Sequence, residues 1–415
     1  MGRLLYTALL WMLLPLVPLR LLWRGRRQPE YLDHIGERFG RYDVQPARPV
    51  IWLHAVSVGE THAAAPLVKL LKERYPQHLV VLTHGTPTGR AAGQQLFGDT
   101  VRQAYLPYDL PFAVRGFLNH FKPQLGLIME TELWFNLIAA CRARKMPLLL
   151  VNARLSAKSA KGYAKLGWLV EEGLTDLAAI AAQTEADAQR LCDLGAPEVM
   201  VTGNLKFDVA APAGEREHIG HLCGGRLVFL AASTREGEEP LVLEAFRRAA
   251  IPGLLLVLVP RHPQRFDEVA GLLEAQGVSY QRRSQNVPVG DVDVLLGDSM
   301  GEMAAYYAAC DVAFIGGSLL PLGGQNLIEA CAQGKPVIVG PYTFNFEEAA
   351  SQAVMQGAAV RVWDVSGLAG EIRRLAEDSR ARREMGDAGL KFAAANRGAA
   401  KRTLVLIEKF IEPAG

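Results

Sequence analysis

The hydrophobic positions along this chain change regime twice. Leu4 to Leu19 (LLYTALLWMLLPLVPL) carries no charged side chain, and Arg20, Arg24, Arg26 and Arg27 follow before the first acidic residue, Glu30. An apolar run whose positive charge trails it, with no A-x-A site after it, predicts an uncleaved membrane anchor over residues 1–27 rather than a signal peptide. The run is shorter than the ~20 residues that span a bilayer comfortably. Pro15 and Pro18 interrupt it, so a single span and a helix lying in the interface both stay open. The arginines put the rest of the chain on the cytoplasmic side. A basic flank helps an anchor and hinders a buried core helix, the alternative reading.

From Arg48 onward, short apolar runs bounded by turn residues alternate with helical spacing, as in buried parallel sheets. Runs at 49–55, 79–83, 125–129, 148–151 and 199–202 predict the strands of one α/β unit. After a Pro/Gly/Ala-rich stretch around 210–225 the rhythm restarts, with runs at 227–232, 254–259, 292–296, 312–315 and 337–339. Two doubly wound, Rossmann-like domains are expected, with right-handed crossovers and ligands outside the carboxyl ends of the strands, in the cleft between the units. The division is an anchor with its basic flank over 1–27, an N-terminal domain over 28–210, a linker over 211–225, a C-terminal domain over 226–395 and a C-terminal helix over 396–415. Lys401 to Ile411 has helical apolar spacing and either closes the second unit or packs back across the cleft.

Composition narrows the function classes. With 415 residues, half of them hydrophobic and 21% charged, the chain has apolar side chains for large cores and too little charge for disorder throughout. Lys and Arg total 45 against 43 Asp and Glu, a balance of +2 that argues against nucleic acid as the principal partner. Five scattered cysteines without a CxxC pair exclude zinc ribbons and disulfide scaffolds and suit a reducing compartment.

Candidate chemistry lies just after the strands. The first strand runs into SVGET, which puts Glu60 in the first turn of a helix; acidic residues are common there through the helix dipole alone, so position does not decide its role. Glu130 and Glu132 (METELW), and Lys206 with Asp208 (GNLKFD), follow two further strands. Charges gathered at one sheet edge must pair or meet a polar ligand. In the second unit, Gly316, Gly317, Gly323 and Gly324 surround a loop ahead of the helix start QNLIEACA, which reads as a phosphate cradle, although neither a Walker pattern nor GxGxxG is present. Arg261 and His262, and Gly301 with Glu302, add polar groups at the same edge, and Glu329 suits either ribose hydroxyls or a neighbouring cation. His54, Glu60 and His62, or His218, His221 and Cys223, match no metal-site spacing, and no G-x-S-x-G elbow occurs.

The strings HAVSVGET, THGTPTG, YLPYDLP, METELW, NARLS, GNLKFD, ASTREGEE, VPRHPQRF, GDSMGEM, GGQNLIEACAQGKPVIVGP and TFNF, in this order from Trp52 to Phe346, resemble the 3-deoxy-D-manno-octulosonic acid (Kdo) transferases of lipopolysaccharide synthesis. The resemblance implies a GT-B glycosyltransferase that moves Kdo from cytidine monophosphate-Kdo (CMP-Kdo) to the lipid A precursor (lipid IVA), with inversion, with no metal at the chemical step and with no cofactor. It implies Glu60 as general base, Glu130 and Lys206 as stabilisers of the transition state, and a nucleotide site at Pro260, Arg261, Gly301, Glu302, Met303, Asn326, Leu327, Ile328 and Glu329. Attachment through residues 1–27 to the inner membrane of a Gram-negative bacterium fits a lipid acceptor. Two positions depart from the family pattern. Phe135 replaces the proline of ETELWPN, a change expected to alter only a turn, and Gln325 with Leu327 stand where many members resemble GGHNPLE. A GT-B enzyme or an epimerase using a UDP-sugar would share the two-unit rhythm and the glycine loop; a non-enzymatic membrane scaffold would leave the edge charges unexplained. Because every candidate group follows Trp52, attachment and chemistry are expected to separate on deletion of residues 1–27.

Overall fold

In the computed structural model, residues 2–26, 28–209 and 216–411 are described, without the side chains of 216–218; Met1, Arg27, Ala210, residues 211–215 of the expected linker and the last four residues therefore lie outside the described residues. Two compact units divide the chain: Met1–Val209 with Arg397–Gly415, and Ala210–Asn396. The expected linker contains a helix, Arg216–Leu222, that belongs to the second unit.

The first unit is a seven-stranded parallel sheet: β1 (Val50–His54), β2 (Leu79–His84), β3 (Arg102–Tyr105), β4 (Leu125–Met129), β5 (Leu148–Ala153), β6 (Ala179–Ala182) and β7 (Met200–Val201). Its order is β3-β2-β1-β4-β5-β6-β7, so the chain reverses its direction of travel between β1 and β4. The runs VIWLH and LGLIM are buried at every position because helices cover both faces of the sheet. The carboxyl ends of β1 and β4, paired as His54 with Ile128, are therefore the switch point at which an open α/β sheet leaves a crevice.

The second unit repeats the plan with β8 (Val228–Thr234), β9 (Leu255–Pro260), β10 (Tyr280–Arg282), β11 (Val294–Leu296), β12 (Val312–Ile315), β13 (Val337–Val339) and β14 (Ala359–Arg361). The order is β10-β11-β9-β8-β12-β13-β14, again all parallel, with the reversal between β8 and β12.

Four strands escape the apolar-run reading: β3, β6, β10 and β14. Three of them, RQAY, YQR and AVR, lie at sheet edges, where one side needs no apolar cover and polar side chains are tolerated. The fourth, AIAA, is interior but made largely of alanine, which has little preference for strands.

The C-terminal helix Ala399–Ile407 joins the first unit, packing on the helix Val58–Arg74 that follows β1. Asp208 fixes it there: its carboxylate accepts the N–H groups of Gly398 and Ala400, each at 2.6 Å. Asp208 is thus a helix cap. It is not one of the edge charges available to a ligand.

The N-terminal segment forms helices α1 (Gly2–Leu13) and α2 (Leu16–Gly25), bent by 56° at Leu14 and Pro15. Among the described residues no single helix is long and apolar enough to cross a membrane. One side of α1 is bonded into the first unit, with Tyr6 on Asp109, Thr7 on Asn136 and Arg3 3.6 Å from Glu172. The segment expected as an anchor is therefore in contact with the first unit on that side.

Candidate active site

Glu60 stands at the switch point of the first unit. Ser57 caps the helix Val58–Arg74 by accepting the Glu60 N–H, and the Glu60 carboxylate reaches back to the Ser57 hydroxyl (2.9 Å) and the Val56 N–H (2.9 Å). This S-x-x-E arrangement is a variant of the capping box, its return bonds made by the Val56 N–H and the Ser57 hydroxyl in place of the Ser57 N–H, and it fixes the carboxylate in one orientation. Only 9% of Glu60 is exposed. Burial, reinforced by the negative charge of Glu130, pushes its carboxyl up to about 7 against the two hydrogen bonds that lower it. The helix dipole alone would keep it fully ionised; desolvation outweighs that effect and leaves a group able to take up a proton near neutral pH.

Glu130 leaves β4 with φ of +57°, a left-handed backbone that a non-glycine residue adopts only when its surroundings impose it. Its N–H donates to the Val151 carbonyl (3.0 Å), and its carboxylate lies 3.6 Å from Lys206 Nζ. Lys206 sits on a short 3-10 turn, Leu205–Asp208, whose first two N–H groups are taken by Asn152 Oδ1 and Asn204 Oδ1, each at 3.0 Å. Asn152, fully buried at the end of β5, is itself left-handed with φ of +53°. Two asparagines and a strained strand end thus set one ammonium group beside one carboxylate. Glu132, two residues on, is also pushed up to about 7 by burial and by Glu130. The structure therefore gathers Glu60, Glu130 and Lys206, and adds Glu132, Ser57 and Asn152, to which no role was assigned. METELW, SVGET and NARLS contained these three residues, but which of them face the crevice depends on the backbone.

His54 is a core residue. Fully buried, with Nδ1 2.9 Å from Thr83 Oγ1, it is pushed down to about 3 by desolvation. Among the described residues no cluster of three or more His, Cys, Asp or Glu is placed to hold a metal ion.

In the second unit the switch point lies between β8 and β12. At Gly316 a Cβ would come within 2.5 Å of the Ser233 carbonyl, so only glycine lets the two strand ends approach so closely. The glycine loop differs from the expected phosphate cradle. Its Gly317 and Leu319 N–H groups donate to the carboxylate of Glu238, which also accepts the Arg235 N–H (2.9 Å). A fully buried internal anion already occupies the cradle.

Polar groups lie around it. The N–H of Arg261, which follows Pro260 at the end of β9, donates to Thr234 O (2.9 Å) and so ties β9 to β8. Burial raises the carboxyl of Glu329 above its ordinary range, against the bond it accepts from Asn326 Nδ2 (2.8 Å) and the charge of Arg261. Glu302 receives Arg283 at 2.6 Å, beside the left-handed Gly301 and ahead of the helix that Met303 opens. The side chains of Leu327 and Ile328 are buried, and the Ile328 N–H is capped by Asn326 Oδ1 (3.1 Å). Neither position offers a ligand a polar side chain, and the Leu327 carbonyl is spent on the Cys331 N–H (3.1 Å). Burial lowers the pKa of His262, and Arg235, not assigned from the sequence, joins Arg261 and Arg265 in lowering it further. Arg265 is held by Glu239 and Glu268, whereas the guanidinium groups of Arg235 and Arg261 make no hydrogen bond or ion pair among the described residues. Arg235, beside Gly317, and Arg261 thus carry charge of the kind that binds phosphate groups.

Comparison with known proteins agrees with this division. Residues 33–209 match the model of the 3-deoxy-D-manno-octulosonic-acid transferase family, and residues 227–392 match glycosyl transferases group 1. A 3-deoxy-D-manno-octulosonic acid transferase of Bordetella pertussis is 48% identical, covering 99% of this chain and 100% of that protein; one from Haemophilus influenzae is 39% identical over 99% of both. Solved structures of a glycosyltransferase from Rickettsia africae (14% identity, TM-score 0.60, 89% of this chain and 100% of that one) and a putative UDP-N-acetylglucosamine 2-epimerase from Listeria monocytogenes (17%, 0.60, 89% and 98%) share the fold. An epimerase and a transferase on one fold show that the fold cannot name the reaction, whereas identity along the full length of two transferases does: this chain belongs to the 3-deoxy-D-manno-octulosonic acid transferase family.

Proposed function

We propose that the Kdo transfer of this family is carried out here by a GT-B enzyme with the lipid A precursor on the first unit and CMP-Kdo on the second, with inversion and without a metal at the chemical step. The observation that carries the assignment is Glu60, a buried carboxylate oriented by Val56 and Ser57 and pushed up to about 7 beside Glu130. The acceptor hydroxyl attacks the anomeric carbon of Kdo while Glu60 takes its proton. The new glycosidic C–O bond forms as the bond to the phosphate oxygen breaks, and cytidine monophosphate leaves with the electron pair. Glu130, 3.6 Å from Lys206, offsets positive charge developing on the sugar. Arg261 and Arg235 take up the charge of the departing phosphate, with Glu302, Asn326 and Glu329 completing the nucleotide site.

The apolar segment supports attachment to the cytoplasmic face of the inner membrane. Leu4, Leu5, Met12 and Leu19 are each more than 60% exposed, an arrangement costly in water and suited to acyl chains. Because the opposite side of α1 is hydrogen-bonded into the first unit, a helix lying in the interface fits better than a span. Arg20, Arg24 and Arg26 add attraction to anionic headgroups.

Mass spectrometry of the product from full-length protein, CMP-Kdo and a tetra-acylated lipid A precursor tests the reading. Kdo addition that persists in EDTA is expected. Turnover with UDP-sugars instead would overturn the donor, and activity lost on chelation and restored by magnesium would overturn the metal-free step.

A further inference from the structure

Helix α1 is bonded to the segment that carries two of the site carboxylates. Asp109, in the YLPYDLP stretch, is 3% exposed and accepts three hydrogen bonds: from the Tyr6 hydroxyl (2.9 Å), the Asn136 N–H (2.9 Å) and the Leu137 N–H (2.8 Å). Asn136 returns one bond from Nδ2 to the Asp109 carbonyl (2.7 Å), and its Oδ1 lies 2.9 Å from the Thr7 hydroxyl, whose single proton it shares with the Arg3 carbonyl (2.7 Å). The Tyr6 ring meets the edge of Phe135 at 5.2 Å. Phe135 in turn lies over Gly173, where a Cβ would come within 2.9 Å of its ring. The departure from proline at Phe135 is therefore more than a changed turn: its ring packs on α1.

These contacts fix the first residues of the helix Phe135–Ala143. The loop from Glu130 to Trp134 connects β4 to that helix, and its other end is fixed by the Glu130 N–H on Val151. A loop this short, pinned at both ends by buried bonds, cannot shift at one end without moving Glu130 and Glu132. Displacements of an ångström at such groups cost rate.

We propose that α1 is a positioning element of the transfer site, the clasp of Tyr6 and Thr7 on Asp109 and Asn136 setting the Glu130–Trp134 loop. The apolar segment then serves the chemistry as well as attachment. The proposal rests on the transferase reading, and it replaces the expectation that residues 1–27 can be removed without loss on a dispersed acceptor.

The test uses the full chain carrying Tyr6→Phe with Thr7→Val, which removes both hydroxyl bonds and leaves the apolar side of α1 intact. With detergent-dispersed acceptor, kcat should fall about tenfold, the scale of one or two buried hydrogen bonds, while the KM for CMP-Kdo stays within about twofold because the donor groups lie on the other unit. Melting should move by no more than about 5 °C. Hydrogen exchange at the Asn136 and Leu137 amides should quicken by about tenfold. A purely structural clasp would lower melting and leave kcat per folded molecule unchanged, and that result, or unaltered amide exchange, overturns the proposal. Absence of wild-type turnover with CMP-Kdo would defeat the transferase reading instead, and the exchange measurement, which needs no substrate, would still decide whether the clasp holds the loop.

Discussion

Glu60 and Glu238 occupy matching places. Each stands in the first turn of the helix that follows the opening strand of its sheet, β1 in one unit and β8 in the other, beside the switch point. Glu238 is fully buried and spends both oxygens on backbone N–H groups of Arg235, Gly317 and Leu319. Glu60 receives two bonds and faces Glu130. Burial raises both carboxyls, and each has an acidic neighbour, but Glu238 is held by three backbone donors and shapes a loop, whereas Glu60, with one backbone donor and one hydroxyl, keeps acceptor capacity and is pushed up to about 7. Burial marks both, so burial alone does not identify chemistry; what the neighbours donate does.

The comparison breaks most visibly at Glu238. Glu238→Ala would leave three buried N–H groups without an acceptor, at a cost of about 3 kcal/mol or more, and the glycine loop would lose its form. Urea unfolding of the full chain should show the second unit's transition moved to lower denaturant, with CMP binding lost. A variant of unchanged stability that binds CMP normally would mean that Glu238 is not structural.

Glu60→Gln should reverse that pattern, keeping stability and CMP binding while turnover drops by on the order of 100-fold. Its pH dependence sharpens the contrast. A carboxyl raised from 4.5 to about 7 on folding binds more protons folded than unfolded, so wild-type stability falls as pH rises from 4.5 through about 7. The glutamine variant lacks that term, and its melting temperature should gain on the wild type between pH 5 and 8. Wild-type kcat should fall below about pH 7 as the base becomes protonated. A flat rate profile down to pH 5, or near-normal turnover in the variant, removes Glu60 from the base role.

The smallest expected effect is at Arg235. If its unpaired guanidinium meets the donor phosphate, Arg235→Ala should raise the KM for CMP-Kdo about tenfold and change the KM for the acceptor little. A change confined to the acceptor would place Arg235 outside the nucleotide site.

The sequence by itself determined the two-unit plan and the inner strands, because strands covered on both faces must be apolar at every position, and runs such as VIWLH, LGLIM and VAFI therefore stand out. It also determined the candidate carboxylates, since strand ends in such sheets are where ligands go, and the family, since its motifs persist along the chain. Edge strands such as RQAY and YQR did not stand out, because a strand with one open side needs no apolar signature. Only the tertiary structure decided the rest. Asp208 and Lys206 are two residues apart in one motif, yet one caps a helix some 190 residues away in sequence while the other faces Glu130. The glycine loop reads as an anion cradle, and the anion it holds is Glu238, supplied by a helix 79 residues before it. Tyr6 lies in an apolar run that reads as an anchor, and 103 residues on it finds Asp109. Local pattern records which face of an element is covered. The partner of a buried polar group is chosen by the whole fold, because that group must be satisfied wherever the chain brings a donor or an acceptor to it.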